Sequence, residues 1–279
     1  MNRRFIEITL IWLSCLTLTC QAFASIHNEN AADALVFGIS PAKDPEAVMK
    51  QWNPVVKYLS LKSGLNIRLL VAASVEEFEK QVGKGMYDIV YMNPYQYTTY
   101  HKTQGYVAFA KEKDKKVKGI IVVKKDSPYK SLADLKDQTV VFPQEDVFAA
   151  NMLPRAKLNQ ESIPYKPNYV ESPNSVYRAV YKGDIPAGGG IVDTYENLNP
   201  VVNSELRVLW TTKQYTPDAF AVHPRVPKAQ RDKIQSVMVN MNIEPNGHLL
   251  LNSLKFNGIE QAKDSEWNDI RALQINLSD

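Results

Sequence analysis

The chain has 279 residues, 33 of them basic and 30 acidic, for a net charge of +3. That balance gives no electrostatic basis for binding nucleic acid or an anionic membrane surface. Both cysteines, Cys15 and Cys20, fall in the first 24 residues, so a chain cleaved after them has no disulfide, thiolate metal site or cysteine nucleophile.

Those first residues read as an export signal. Arg3 and Arg4 precede the mostly apolar run "FIEITLIWLSCLTLTC", and "AFA" (Ala22–Ala24) supplies the small-x-small pattern of a cleavage site. Cleavage is expected between Ala24 and Ser25, giving a secreted, periplasmic chain. The alternative is a lipoprotein anchored at Cys20, although Thr17-Leu18-Thr19 fits lipidation poorly. Removing Arg3, Arg4 and Glu7 lowers the net charge to +2 and leaves about 255 residues, enough for one large domain or two lobes. Beyond the signal, no apolar stretch approaches the roughly 20 residues of a membrane span.

Strand-like and helix-like segments then alternate. "ALVFGI" (Ala34–Ile39) is a buried strand. A helix follows, with Asp44 as N-cap, Pro45 in its first turn and Gly64 as terminator. Pro54 should kink or divide it. "NIRLLV" is the next strand, and Ser74 and Glu77 open a second helix. "YDIVYM" (Tyr87–Met92) and "YVAFA" (Tyr106–Ala110) are further strands. After the mixed-charge turn "KEKDKK" the pattern restarts with "GIIVVKK" and "TVVFP". The helix "VFAANMLPRAKL", kinked at Pro154, comes next, then "YKPNYV" and the helix "SVYRAVYKG". The run Gly188-Gly189-Gly190 follows. Such alternation implies mostly parallel sheet with helices on both faces.

In sheets of this kind ligands sit outside the carboxyl ends of the strands. That rule selects the loops Ser40–Lys43, Asn93–Tyr97, Gln144–Ala150 and Ala187–Asp193. From them Ser40, Asn93, Tyr95, Tyr97, Gln144, Phe148, Ala149 and Gly189 are candidate ligand-binding residues. The glycine run lacks the lysine and hydroxyl that a nucleotide-binding loop requires. It allows either a close approach by a lobe or ligand, or tight helix–strand packing. No nucleophile elbow is present, and the histidines His27, His101, His223 and His248 stand singly. Catalysis thus has no positive signal in these residues, so no enzyme activity, metal or cofactor is expected.

Five blocks carry a resemblance: "FGISPAKDPEAVMKQWNPVVKYLSLKSG", "YDIVYMNPYQY", "GIIVVKKDSPYKSLADLK", "TVVFPQEDVFAANMLPRAKL" and "SVYRAVYKGDIPAGGG". Together, from Val36 to His223, they resemble the PhnD-like phosphate/phosphite/phosphonate-binding family of periplasmic solute-binding proteins. The resemblance implies a type II periplasmic binding fold, with two α/β lobes joined by two hinge crossings near Val117–Gly119 and Thr211–Pro217. Residues 25–117 and 218–279 would form the first lobe and residues 118–217 the second. It also implies a monomer that binds a small solute and delivers it to an ABC permease. The alternative is a sensory protein docking on a membrane histidine kinase or diguanylate cyclase.

By the same resemblance Asn174 and Ser175 join the candidate site, but the anion turn departs from the family. Relatives carry hydroxyl residues after the "VVFP" strand, where this chain has Gln144-Glu145-Asp146-Val147-Phe148-Ala149-Ala150. They carry "SHDSVYR" where it has Ser172-Pro173-Asn174-Ser175-Val176-Tyr177-Arg178. Two carboxylates in that turn oppose an oxyanion, so simple phosphonates are expected to bind weakly.

Overall fold

The computed structural model describes residues 34–41, 44–145, 147–273 and 275. The expected leader therefore lies outside the described residues, as do Ala42, Lys43 and Asp146 of the candidate loops. Two sheets organise the chain. The first contains β1 (Leu35–Ile39), β2 (Ile67–Val71), β3 (Ile89–Met92), β4 (Val107–Glu112), β10 (Ala219–Val222) and β11 (Ile259–Gln261). The second contains β5 (Gly119–Lys124), β6 (Thr139–Phe142), β7 (Lys166–Tyr169), β8 (Ala187–Ile191) and β9 (Leu206–Thr211).

Their orders are β11-β4-β10-β3-β1-β2 and β7-β6-β8-β5-β9. Strand β1 pairs in parallel with β2 and β3, whereas β10 inserts antiparallel between β3 and β4. The sheets are thus mixed. A returning strand completes the first sheet from the opposite direction, and β5 runs against both its neighbours.

Helices cover both faces of each sheet. Helix α1 (Pro45–Ser63) starts at Asp44, which accepts the Glu46 amide, and ends at Gly64 with φ of 67°. It continues through Pro54 instead of dividing there. Pro54 is exposed, so the carbonyl it leaves without a partner can bond water. Strand alternation sends Val36, Val90 and Met92 to one side of the first sheet, with α2 (Val75–Gly83) and α3 (Pro94–Gln104). Phe37, Ile39 and Ile89 go to the other side, against Trp52, Val55 and Leu59 of α1. The side that holds Met92 also takes in Phe148, Met152 and Leu153 from the second lobe, so an apolar cluster is continuous across the two lobes.

The chain passes between the sheets twice, through residues 113–118 and 212–218. The two crossings are bonded to each other. Val117 and Tyr215 exchange backbone hydrogen bonds at 3.0 and 2.9 Å. The segment expected as one kinked helix begins as a π-helical turn, Phe148–Met152, and only then becomes α4 (Leu153–Gln160), with Pro154 in its first turn.

The glycine run is a strand, not a loop: Gly188 to Gly190 lie inside β8. A Cβ on Gly188 would overlap Val176, and one on Gly190 would overlap Tyr177, both in α5 (Pro173–Lys182). On the other face, a Cβ on Gly189 would overlap the Ala150 carbonyl oxygen and lie 2.7 Å from Phe142 Cδ1. Bare backbone lets α5 and the π-turn press on the strand from opposite sides. Close helix–strand packing accounts for all three glycines.

Gly189→Ala should therefore cost about 3 kcal/mol of stability by overpacking. Gly183→Ala is the control. Gly183 has φ of 80° with only Lys124 Cδ, at 3.8 Å, near its missing Cβ, so the cost should be the roughly 1 kcal/mol of a left-handed residue. Urea denaturation of both variants checks the difference.

Candidate functional site

The ends of β1 and β3, the start of the π-turn and the two crossings enclose a cavity of about 370 Å3. Ser40 follows β1, and Met92 and Asn93 end β3. Val147, Phe148 and Ala149 come from the second lobe with Ile191, and Trp52 reaches in from α1. Phe148 and Trp52 are themselves well buried, at 4% and 6% exposure. The wall is therefore largely aromatic and aliphatic, with a few fixed polar groups, as small-molecule sites usually are.

Those polar groups have specific supports. Asn93 caps α3: its Oδ1 accepts the Gln96 amide at 2.9 Å, and Gln96 Oε1 accepts the Asn93 amide at 3.2 Å. Gln96 Nε2 in turn donates to Glu79 at 2.8 Å. Pro94 has no N–H, and the Tyr97 amide bonds the Asn93 carbonyl at 2.9 Å. The first turn of α3 thus spends most of its donors internally and has little to offer an oxyanion.

Asp218 is the one acidic side chain among the described lining residues, which include no Lys, Arg or His. It immediately precedes β10, whose antiparallel course brings its amino end beside the carboxyl ends of β3 and β4. Ala219 pairs with Lys111, which sets Asp218 next to Glu112. Burial, and then the Glu112 charge, push the Asp218 carboxyl up to about 7, against the pull of Lys115. Tyr91 shares a hydrogen bond with Asp218. Burial first, then Asp218 and Glu112, raise that phenol well above its ordinary value. Burial likewise raises Glu112, opposed by Lys115. Lys115 is itself ion-paired to Asp193 of the second lobe.

Of the residues selected from the sequence, Ser40, Asn93, Phe148 and Ala149 line this cavity together. The others stand elsewhere. Tyr97 is fully buried, donates to Asp264 at 2.5 Å and accepts the Ala108 amide at 3.1 Å, which ties α3 to β4 and the C-terminal segment. Tyr95 packs beside the same apolar cluster. Gln144 and Asn174 are exposed, and Ser175 bonds to the α5 cap residue Ser172. Gly189 lies beneath the π-turn. The sequence reading missed Asp218, Tyr91, Trp52 and Gln96. An acidic residue beside the wholly apolar strand "AFAV" was the available signal for Asp218.

Two α/β lobes, two crossings and a cavity between the lobes define a two-lobed solute-binding protein with the type II periplasmic binding fold. The chain belongs to the ABC transporter phosphonate periplasmic substrate-binding protein family, whose family model matches residues 37–267.

Solved structures of the same fold include a binding protein component of an ABC phosphonate transporter from Pseudomonas aeruginosa. It is 17% identical, with a TM-score of 0.70 over 86% of this chain and 85% of that one. PhnD1 from Prochlorococcus marinus, in complex with methylphosphonate, is 19% identical, with a TM-score of 0.73 over 86% and 97%. A protein from Xanthomonas citri bound to ATP is 15% identical, with a TM-score of 0.76 over 86% and 95%. At these identities the shared property is the fold.

The Asp218 environment has a consequence for stability. Its folded-state value, about 7, lies above the ordinary 3.8. Stability from this group is therefore fully present below about pH 4 and is lost as pH rises through 7. Asp218→Asn should melt higher than the parent protein at pH 8, and the two should converge near pH 4. Thermal scans across that range check the sign.

Proposed function

We propose that this protein binds a small solute that presents a cationic or neutral donor group to Asp218, and passes it to an ABC permease. One observation carries the reading: the described cavity wall holds a carboxylate and no cationic side chain. An anion held 4 Å from an ionised Asp218 would be repelled by about 4 kcal/mol at an effective dielectric of 20. That is roughly a thousandfold in affinity, and an ammonium would gain a comparable attraction. Trp52, Tyr91 and Phe148 suit the same ligand, because aromatic faces attract desolvated cations. Glu145 in the turn adds negative charge nearby, and the turn carries no hydroxyl of its own.

We also propose that the lobes, residues 25–117 with 218–279 and residues 118–217, move about the paired crossings and close over the solute. The Val117–Tyr215 bridge joins the two crossings, and beside it the lobes meet through the apolar contacts of Phe148, Met152 and Leu153 that closure would have to repack. A ligand shifts such an equilibrium only by preferring the closed form.

A thermal-shift panel of phosphate, methylphosphonate, ethanolamine and an aminoalkyl phosphonate tests the ligand class. The bare oxyanions should leave the melting point unchanged at millimolar concentration, and at least one ammonium compound should raise it. That rise should be larger at pH 8 than at pH 5.5 and absent in Asp218→Asn. The same ligand should reduce the radius of gyration in solution scattering. Submicromolar methylphosphonate binding would overturn the reading.

A further inference from the structure

A second, larger cavity, about 600 Å3, shares no lining residue with the first. It forms where three parts of the chain meet: helix α4, the end of β9 with the second crossing, and the C-terminal residues Ala272 and Leu273. Its apolar wall is Leu153, Ala156, Trp210 and Leu273. Its cationic groups are Lys157 and Lys213, and no carboxylate stands in the described lining. The charge is thus the reverse of the first cavity's. Lys157 is paired to Glu161 at 2.7 Å, one turn further along α4. Lys213 is exposed, with its Nζ 5.2 Å above the Tyr215 ring. Thr211 and Thr212 add hydroxyls between Trp210 and Lys213.

An open recess with an apolar side at Ala156, Trp210 and Leu273 and two lysines at its edge, one paired to Glu161 and the other lying over the Tyr215 ring, fits one ligand class. We propose that this cavity is a binding site for an amphiphilic organic anion: a flat apolar body carrying a carboxylate, sulfonate or phosphate. The body lies between Ala156, Trp210 and Leu273, and the anionic group faces Lys213. Its volume is in the range of small-molecule sites. Its walls come from both lobes, α4 from the second and Leu273 from the first. The helical segment that lines it also begins at Phe148 in the first cavity. An occupant therefore holds the two lobes in the arrangement seen here.

The test uses anilinonaphthalene sulfonate, titrated into the full exported chain. The expected result is saturable binding of one equivalent, with tryptophan emission transferred to the probe. Lys213→Glu, at an exposed position, should weaken binding at least about tenfold, the effect of reversing one charged contact. Ala156→Phe, which fills the recess, should abolish it. Asp218→Asn, in the other cavity, should leave it unchanged. Thermal melts establish that each variant is folded. Loss with Ala156→Phe but not with Lys213→Glu would overturn the anionic class. Binding that survives both variants, fails to saturate or disappears in Asp218→Asn would overturn the site.

Discussion

A half-buried carboxylate at the cavity wall, set beside the buried carboxylate of Glu112, constrains the rest of this cleft. Asp218 faces an aromatic wall, takes one hydrogen bond from Tyr91 and sits next to Glu112. Only Lys115 lowers its value electrostatically, and that lysine is engaged by Asp193. Desolvation, and then the neighbouring Glu112 charge, disfavour the ionised form and push the carboxyl up to about 7. The fold keeps it there because β10 is clamped between β3 and β4, with its amino end fixed at the cavity. A ligand that supplies the missing positive charge relieves the constraint, whereas one that adds negative charge worsens it. Stability and binding thus oppose each other at one residue, a common property of sites poised for a ligand.

Family membership and site chemistry are separate statements here. The two-lobed scaffold needs apolar strands, capped helices and two crossings, all of which survive at 15–19% identity to the solved structures. The ligand depends on the few side chains that reach the cavity, and these can change while the cores stay intact. In this chain the π-turn presents Val147, Phe148 and Ala149, and the α3 start consumes most of its own amides. Both features support the proposed ligand class, and neither disturbs the packing of either sheet.

The fold was largely legible in the sequence because its signals are local. Asp44, Ser74, Asn93 and Ser172 cap helices through their own side chains, and Gly64, Gly105 and Gly183 terminate helices with positive φ. The glycine run was harder. Its reason lies in α5 and the π-turn on either side of β8, which no window of sequence contains. The site divided the same way. Ser40 and Asn93 follow parallel strands, so the carboxyl-end rule selects them, and both line the cavity. Asp218 stands at the amino end of an antiparallel strand that returns from the second lobe, where that rule points to the wrong end. Tyr97 lies near the selected strand end in sequence, but its position in the first turn of α3 aims its hydroxyl at Asp264.

The measurement that bears most directly on this account is the titration of the Asp218 carboxyl itself. Carbon-13 NMR of the exported protein, labelled at aspartate side chains and assigned with Asp218→Asn, would follow it between pH 3 and pH 9. The expected midpoint lies near 7. A midpoint near the ordinary 3.8 would contradict it. It would mean that water or a cation already compensates Asp218, and the argument against a bare oxyanion would fall with it.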